Sequence, residues 1–238
     1  AKVDDIITLK KEYDGVFVGI GALKPKTIGI PGENLKGVEH VIPFLESVNC
    51  HVRKTIGKNV AVVGAGFSAL DAVRVARRLG SEAFIVYRRS AKEMPATPNE
   101  VEEAIAEGVK MMTLCNPTKI FGDENGNVIG LQLQRMELGE KDSTGRSAPR
   151  PIPNSEFYVE CDMVIQAISQ EVETETTTGI TLNPNHTLTI NDKYETNVKG
   201  IYACGDCTSG PKNIVHAVGD AHQAVISMDL YLKSLPTL

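Results

Sequence analysis

A glycine-rich motif, Gly64-Ala65-Gly66-Phe67-Ser68-Ala69, constrains the fold of this chain more than any other feature of its sequence. The motif follows the apolar run 60–63 and opens a segment, 68–79, whose apolar residues recur at helical spacing. In such a motif the first glycine permits a tight turn and the second lets a pyrophosphate approach the backbone. The small third residue lets the helix pack closely on the strand. With a further apolar run at 83–87, the motif predicts a dinucleotide-binding β-α-β unit, the Rossmann arrangement.

The phosphates of the dinucleotide are expected at the start of this helix, because its first backbone N–H groups and its dipole favour an anion. The predicted cofactor-binding residues of the turn are Gly64, Gly66, Phe67, Ser68 and Ala69. The alternative is a glycine turn that binds nothing, and the strand before the motif and the helix after it argue against that alternative.

The end of the second strand indicates which dinucleotide is bound. NAD sites place an Asp or Glu about 20 residues after the motif, where it accepts a hydrogen bond from the ribose 2′-hydroxyl. Here the sequence reads Tyr87-Arg88-Arg89-Ser90 and contains no acid. A carboxylate would repel a 2′-phosphate, whereas arginine binds it through bidentate, charge-assisted hydrogen bonds. The pattern favours NADP(H) over NAD(H); the alternative is that the two arginines only solvate the strand end.

Composition excludes several classes of partner. The formal net charge is −5, so the chain has no excess of Lys or Arg to neutralise the phosphates of a nucleic acid. Its apolar runs have the length of strands rather than of membrane spans, and nothing resembles a signal peptide. The five cysteines are scattered and odd in number, which fits a reducing cytoplasm better than a disulfide framework. We expect a soluble, cytoplasmic protein that binds neither nucleic acid nor membranes.

The order of the remaining elements predicts an α/β chain with an antiparallel insertion. Three predicted strands form a meander, with a tight turn at Asn125-Gly126 and a polar loop from Gly139 to Pro153. The meander strands are expected at 111–121, 128–138 and 157–164, other strands at 13–21, 188–190 and 200–204, and helices at 38–48 and 213–232.

Four groups of residues give the chain a family resemblance. They are Tyr13-Asp14-Gly15-Val16-Phe17; the glycine motif with Asp71; Tyr87-Arg88-Arg89-Ser90 with Glu93-Met94-Pro95-Ala96 and Glu107-Gly108-Val109; and Gly200-Ile201-Tyr202-Ala203-Cys204-Gly205-Asp206. With these residues the chain resembles the flavin-containing small (beta) subunit of NADPH-dependent glutamate synthase, within a wider group of two-dinucleotide-binding flavoproteins.

The resemblance implies that NADPH delivers a hydride to FAD, and that electrons leave to an iron–sulfur or large catalytic subunit of an electron-transfer complex. It implies that Arg88 and Arg89 bind the 2′-phosphate of NADP(H). Gly205 and Asp206 would contact the ribityl–phosphate region of FAD, and the alternative for them is an ordinary turn that caps a strand. The helix that begins at Asn213, Ile214 and Val215 would direct its N-terminus at the flavin.

The chain departs from the family pattern in ways that affect the expected architecture. Its first residues match a point inside the family's FAD domain, so the N-terminal FAD motif has no counterpart here. We expect either a fragment of a longer product or a separate chain that carries the missing FAD-binding half. Phe67 stands where a polar residue is usual, and Ser169 where a glycine is usual.

The predicted fold class is α/β, with a Rossmann-type NADP-binding domain that contains the meander. Two flanking segments are expected to form a partial FAD-binding domain. The predicted boundaries are 1–50 and 168–238 for these two segments and 51–167 for the NADP-binding domain.

Two alternatives remain open at this stage. Cys204 and Cys207 form a Cys-x-x-Cys pair that suggests thiol–disulfide chemistry, although the pair falls inside the Gly-Asp turn. The chain has no second such pair, so we predict no metal site. The sequence shows no Ser-His-Asp or Tyr-x-x-x-Lys constellation for direct chemistry on an organic substrate, so hydride transfer from NADPH to FAD stays the favoured function. The alternative function is a non-catalytic NADP(H)-binding module or assembly partner.

Overall fold

The computed structural model describes residues 5–53, 55–142 and 145–236, which form two compact units. The central unit comprises residues 27–168. The terminal unit joins the described residues up to Lys26 with those from Ser169 onward. Residues 27–50 were predicted to lie in a flanking segment, but in the structure they belong to the central unit. The reason is that Val41 and Phe44 are buried in the core of the central unit.

The regular elements of the described residues are numbered along the chain. The helices are α1 (Ile6–Glu12), α2 (Val41–Asn49), α3 (Phe67–Arg78), α4 (Pro98–Ala106), α5 (Asp206–Ser209) and α6 (Ile214–Lys233), with a 3₁₀ turn at Ala91–Glu93. The strands are β1 (Val16–Val18), β2 (Lys24–Pro25), β3 (Val38–His40), β4 (Asn59–Val63), β5 (Glu82–Tyr87), β6 (Lys110–Thr113), β7 (Cys115–Gly122), β8 (Val128–Lys141), β9 (Ser147–Glu160), β10 (Met163–Gln166), β11 (Gln170–Glu171) and β12 (Ile201–Ala203).

A five-stranded parallel sheet in the order β3-β10-β4-β5-β6 forms the centre of the central unit. Side chains from alternate positions enter two different cores. Val60, Val62 and Ile85 pack with α2 and α3 on one face, and Ala61 and Val63 pack with the meander on the other. Because both faces are covered, the central strands are apolar throughout, as the sequence analysis assumed. The prediction of an α/β fold with a parallel sheet and an antiparallel insertion is confirmed.

The meander is larger than predicted. Strands β7, β8 and β9 form an antiparallel sheet, and β8 and β9 have 14 residues each. The predicted polar loop from Gly139 to Pro153 is wrong, since β8 continues to Lys141 and β9 begins at Ser147. Residues near the end of this hairpin are polar because they lie on a solvated two-stranded ribbon rather than in a loop.

Three other predicted elements also differ from the structure. Residues 38–40 of the predicted helix form β3, because they pair with β10. The predicted strand 111–121 divides at Leu114, whose φ is +53°, into β6 of the central sheet and β7 of the meander. The predicted strand 188–190 is wrong, since Leu188 forms only an isolated bridge to Leu182.

The terminal unit has a small core around two parallel strands. β1 pairs with β12 over three residues, from Val16↔Ile201 to Val18↔Ala203. The core includes both strands, Ile6 of α1 and Leu188. Among the described helices, none combines the length and apolar character that a membrane crossing requires. The five cysteines are free thiols, and the cytoplasmic location stays a prediction.

Ser169, where the resemblance implies a glycine, has a strained backbone. Its φ is +91°, a conformation that residues with a Cβ rarely adopt. Ser169→Gly is therefore expected to raise the free energy of unfolding by about 1 kcal/mol, measured by urea denaturation. Ser169→Ala is the matched control, because it removes the hydroxyl and keeps the Cβ. An equal gain from both substitutions would contradict the attribution to backbone strain.

Candidate dinucleotide-binding site

Gly64 forms the turn that ends β4. Its φ is +133°, and its N–H donates to the carbonyl of Val86 on β5 at 3.0 Å. A Cβ at this position would overlap the carbonyl oxygen of Ala167, which follows β10. The fold itself therefore requires glycine at position 64, whether or not a ligand binds.

Gly66 differs from Gly64 because the fold does not require a glycine there. Its φ is −86°, and an added Cβ would meet no heavy atom within 4 Å other than those of its immediate chain neighbours. Gly66 is the N-cap of α3, and no described side chain caps this end of the helix. The N–H groups of Phe67 and Ser68, in the first turn of α3, have no acceptor one turn earlier. This arrangement is suited to binding a pyrophosphate.

The remaining residues of the motif position this loop. Ala69 is 1% exposed and packs in the core beneath the loop, as the prediction for the small third residue requires. The N–H of Ala96 donates to the carbonyl of Ala65 at 3.4 Å, and Met94 is buried in the same core. The Met-Pro-Ala segment thus supports the glycine loop from outside the motif. Phe67 is 49% exposed, so its ring is accessible at the mouth of the loop.

The two arginines that follow β5 have different environments. Arg88 is exposed and makes no hydrogen bond or ion pair with other described residues. Arg89 is only 6% exposed. Its Nη2 donates to Oδ2 of Asp142 at 2.5 Å, and its Nε donates to the carbonyl of Ser147 at 2.9 Å. Only Arg88 therefore presents its guanidinium to solvent.

Two carboxylates at the end of β5 make contacts that were not predicted from the sequence. Asp142 is 53 residues from Arg89, and no local pattern indicated their contact. Glu93 returns to the strand end, where the hydroxyl of Ser90 donates to its Oε2 at 2.5 Å. Ser90 also caps the 3₁₀ turn by accepting from the N–H of Lys92. The Ser-x-x-Glu spacing is that of a helix-capping box, so the contact between Ser90 and Glu93 had a signal in the sequence.

The predicted flavin-contacting residues of the terminal unit lie between the end of β12 and the first turn of α6. Gly205 has a φ of +72°, and Asp206 begins the short helix α5. Oδ1 of Asp206 accepts a hydrogen bond from the N–H of Lys212 at 3.0 Å. The carboxylate therefore fixes the loop that leads into α6.

Asn213 caps α6, because its Oδ1 accepts from the N–H of His216 at 3.0 Å. Ile214 and Val215, the first two residues of the helix, are 82% and 79% exposed. The start of α6 is thus fully accessible in this unit. The flavin contacts assigned to Gly205, Asp206, Asn213, Ile214 and Val215 stay predictions.

The Cys-x-x-Cys pair is buried and unsuited to thiol–disulfide chemistry. Cys204 and Cys207 are 5% and 0% exposed, and the thiol of Cys207 lies 3.1 Å from the carbonyl oxygen of Cys204. Burial raises the pKa of Cys204 and raises the pKa of Cys207 to about 11, so both thiols stay protonated at neutral pH. A protonated thiol is a poor nucleophile. The described residues also assemble no group of three His, Cys, Asp or Glu side chains suited to a metal ion.

Comparison with known proteins decides the family. The family model described as "Pyridine nucleotide-disulphide oxidoreductase" matches residues 4–221. The chain belongs to the pyridine nucleotide-disulphide oxidoreductase family. Its fold agrees with that assignment: FprA from Mycobacterium tuberculosis, a His57Gln mutant, superposes with a TM-score of 0.82 at 20% identity. The match covers 98% of this chain and 68% of FprA, and it concerns the fold alone.

Two sequence relatives within this family match most of the chain. The NADP(+)-dependent formate dehydrogenase subunit beta of Moorella thermoacetica is 39% identical over 94% of this chain. The glutamate synthase [NADPH] small chain of Azospirillum brasilense is 31% identical over 95% of it, which confirms the resemblance to the glutamate synthase small subunit. The chain spans 32% and 50% of the lengths of these two relatives.

Proposed function

We propose that this chain binds NADP(H) through the glycine loop of its central unit and acts within an NADPH-dependent flavin oxidoreductase. Hydride passes from NADPH to FAD, and electrons then pass to a partner subunit. The names of the two sequence relatives support the NADP(H) part of this proposal, since one is NADP(+)-dependent and the other carries the qualifier NADPH.

The free space at Gly66 is the observation that carries the proposal. A glycine whose Cβ would fill nothing but open space, at an uncapped helix start, is explained by a ligand rather than by the fold. The exposed Arg88 at the end of β5 supplies a cation for a 2′-phosphate. The residues present therefore fit NADP(H): Gly66, Phe67 and Ser68 would hold the pyrophosphate, and Arg88 the 2′-phosphate.

The terminal unit fits one part of FAD. When bound, FAD supplies the chemistry that accepts a hydride and releases electrons to a further acceptor. Gly205 and Asp206 would hydrogen-bond to its ribityl–phosphate region. The positive end of the α6 dipole, at Asn213, would stabilise negative charge on the isoalloxazine ring. The protein's own contribution is position and electrostatics rather than a catalytic acid or base.

We infer from the surface of the terminal unit that a further segment completes the proposed flavin site. Parallel strands normally belong to larger, covered sheets, yet β1 and β12 form a sheet of only two within the described residues. Ala224 is the buried residue of α6, and six apolar side chains of this helix are more than half exposed. These side chains are Ile214, Val215, Val218, Val225, Ile226 and Leu230.

We assign one occupant to this surface, the FAD-binding segment that holds the adenosine end of the cofactor. The greater length of the relatives leaves room for such a segment, either in the same polypeptide or in a separate chain. A cavity of about 320 Å³ beside β1, lined by Ile6, Val16, Phe17 and Ile20 among others, offers it an apolar contact. The relatives are a beta subunit and a small chain, which supports an iron–sulfur or large catalytic subunit as the electron acceptor.

A visible absorption spectrum tests the flavin part of the proposal. The purified chain is mixed with FAD, desalted and then reduced with NADPH. If the chain holds flavin, flavin absorbance should remain after desalting and should then bleach when NADPH is added. Asp206→Ala should retain less flavin, whereas Asp192→Ala, which removes an exposed carboxylate from a different turn, should retain as much as the wild type.

The open surface of the terminal unit also favours a second candidate, a non-catalytic NADP(H)-binding module that holds no flavin on its own. Loss of all flavin on desalting, with NADPH still bound, would support this alternative. If a separately produced FAD-binding segment then restored a flavin that NADPH bleaches, the result would support the oxidoreductase hypothesis.

A further inference from the structure

We propose that Arg89 is a positioning residue that anchors the hairpin tip to the NADP(H) site, and that Arg88 alone binds the 2′-phosphate. The hairpin tip is defined here by Lys141, Asp142, Gly145, Arg146 and Ser147. This inference rests on the proposed function, because it assumes that NADP(H) binds at the glycine loop. It departs from the family resemblance, which assigns both arginines to the phosphate.

The contacts of Arg89 lie on both strands of the hairpin. Asp142 directly follows β8 and Ser147 begins β9, and the guanidinium of Arg89 bonds to both. The N–H of Asp142 donates to the carbonyl of Arg146 at 2.8 Å, and the N–H of Gly145 donates to the carbonyl of Asp142 at 2.9 Å. Arg89 therefore holds Asp142 and Ser147, one from each side of the hairpin, against the end of β5.

The backbone of Arg89 adds a second attachment to the meander. Its carbonyl accepts a hydrogen bond from the N–H of Leu114 at 3.0 Å, and the carbonyl of Leu114 accepts one from the N–H of Met136 on β8 at 2.8 Å. The strand end that would hold the adenosine ribose is thus tied to the meander by both the side chain and the backbone of one residue.

Burial and charge argue against Arg89 as a phosphate ligand. Its side chain is 7% exposed, and a guanidinium so buried is stable only with its charge paired. A 2′-phosphate that reached Arg89 would lie beside the carboxylate of Asp142, and two anions at that separation repel each other. Arg88 has neither restriction, since it is exposed and unpaired among the described residues.

The test compares four variants of the full chain: Arg88→Ala, Arg89→Ala, Arg89→Lys and Asp142→Asn. Dissociation constants for NADPH and NADH are measured by equilibrium titration. The rate of tryptic cleavage after Lys141 and Arg146 reports the order of the hairpin tip. Arg150→Ala, which removes an exposed arginine from the same hairpin, is the matched control.

Arg88→Ala is expected to weaken NADPH binding by about 10- to 100-fold, to leave NADH binding unchanged and to leave the cleavage rate unchanged. Arg89→Ala and Asp142→Asn should each accelerate tryptic cleavage several-fold. Each should also weaken the binding of NADPH and the binding of NADH by similar factors. Arg89→Lys keeps a cation opposite Asp142. Its cleavage rate and its affinity for both dinucleotides should therefore stay close to those of the wild type. Asp142→Asn breaks the ion pair with a nearly isosteric amide, so the conclusion does not depend on the folding of Arg89→Ala.

Two results would overturn the inference. One is a loss of NADPH preference in Arg89→Ala as large as that in Arg88→Ala, without faster cleavage. The other is tighter NADPH binding in Asp142→Asn, which would mean that Asp142 had been competing with the phosphate for Arg89. Failure of the wild-type chain to bind NADPH would instead contradict the proposed function, and the cleavage rates would still decide whether Arg89 anchors the hairpin.

Discussion

Gly66→Ala is expected to weaken NADPH binding by about 100-fold while changing the free energy of unfolding by less than about 1 kcal/mol. The added methyl group meets nothing in the structure, so the fold tolerates it. Under the proposed function, the same methyl group would occupy the space through which a pyrophosphate approaches the N–H groups at the start of α3. Loss of affinity without loss of stability separates a ligand site from a structural turn.

Equilibrium titration with NADPH and urea denaturation measure the two effects on the same protein. Gly219→Ala is the matched control, because its Cβ would also meet open space, on α6 of the terminal unit. That variant should bind NADPH as the wild type does. Unchanged NADPH affinity in Gly66→Ala would remove the observation on which the proposed function depends.

Gly64→Ala is expected to have the opposite result, with a loss of at least about 3 kcal/mol in the free energy of unfolding. A Cβ at position 64 would overlap the carbonyl of Ala167, and the φ of +133° is unfavourable for any residue other than glycine. The clash is with backbone, so no side-chain rotation relieves it. Either β4 or the end of β10 must shift.

Urea denaturation followed by circular dichroism measures this loss. Gly66→Ala serves as the internal comparison, since it makes the same chemical change two residues along the motif. A Gly64→Ala variant as stable as the wild type would show that the turn after β4 adapts more readily than its geometry indicates.

The sequence predicted the centre of the fold because that centre depends on local patterns. An apolar run, a glycine motif and a helical repeat specify β4, the turn and α3 without reference to distant residues. The helix α4 also had a local signal, the capping box formed by Thr97 and Glu100 with Pro98 at the first turn, which the sequence analysis did not use.

Other elements depend on tertiary contacts that no local pattern records. β3 has three residues and exists because β10 pairs with it. The outer half of β9 contains three prolines, Pro149, Pro151 and Pro153, which are unusual inside a strand, so its sequence resembles that of a loop. The sequence was enough to name the candidate site residues. It could not show that Gly64 is required by the fold and Gly66 is not, or that Arg88 is exposed and Arg89 is buried and paired. Those distinctions follow from Ala167 and Asp142, which are about 100 and 50 residues away from their partners.

The most direct test of the central claim is an equilibrium titration of the purified chain with NADPH and with NADH. The proposed function predicts saturable NADPH binding at least about tenfold tighter than NADH binding. This binding should weaken about 100-fold in Gly66→Ala and fall to the NADH level in Arg88→Ala. Absence of binding, or equal affinity for both dinucleotides, would contradict the assignment of this chain as an NADP(H)-binding protein.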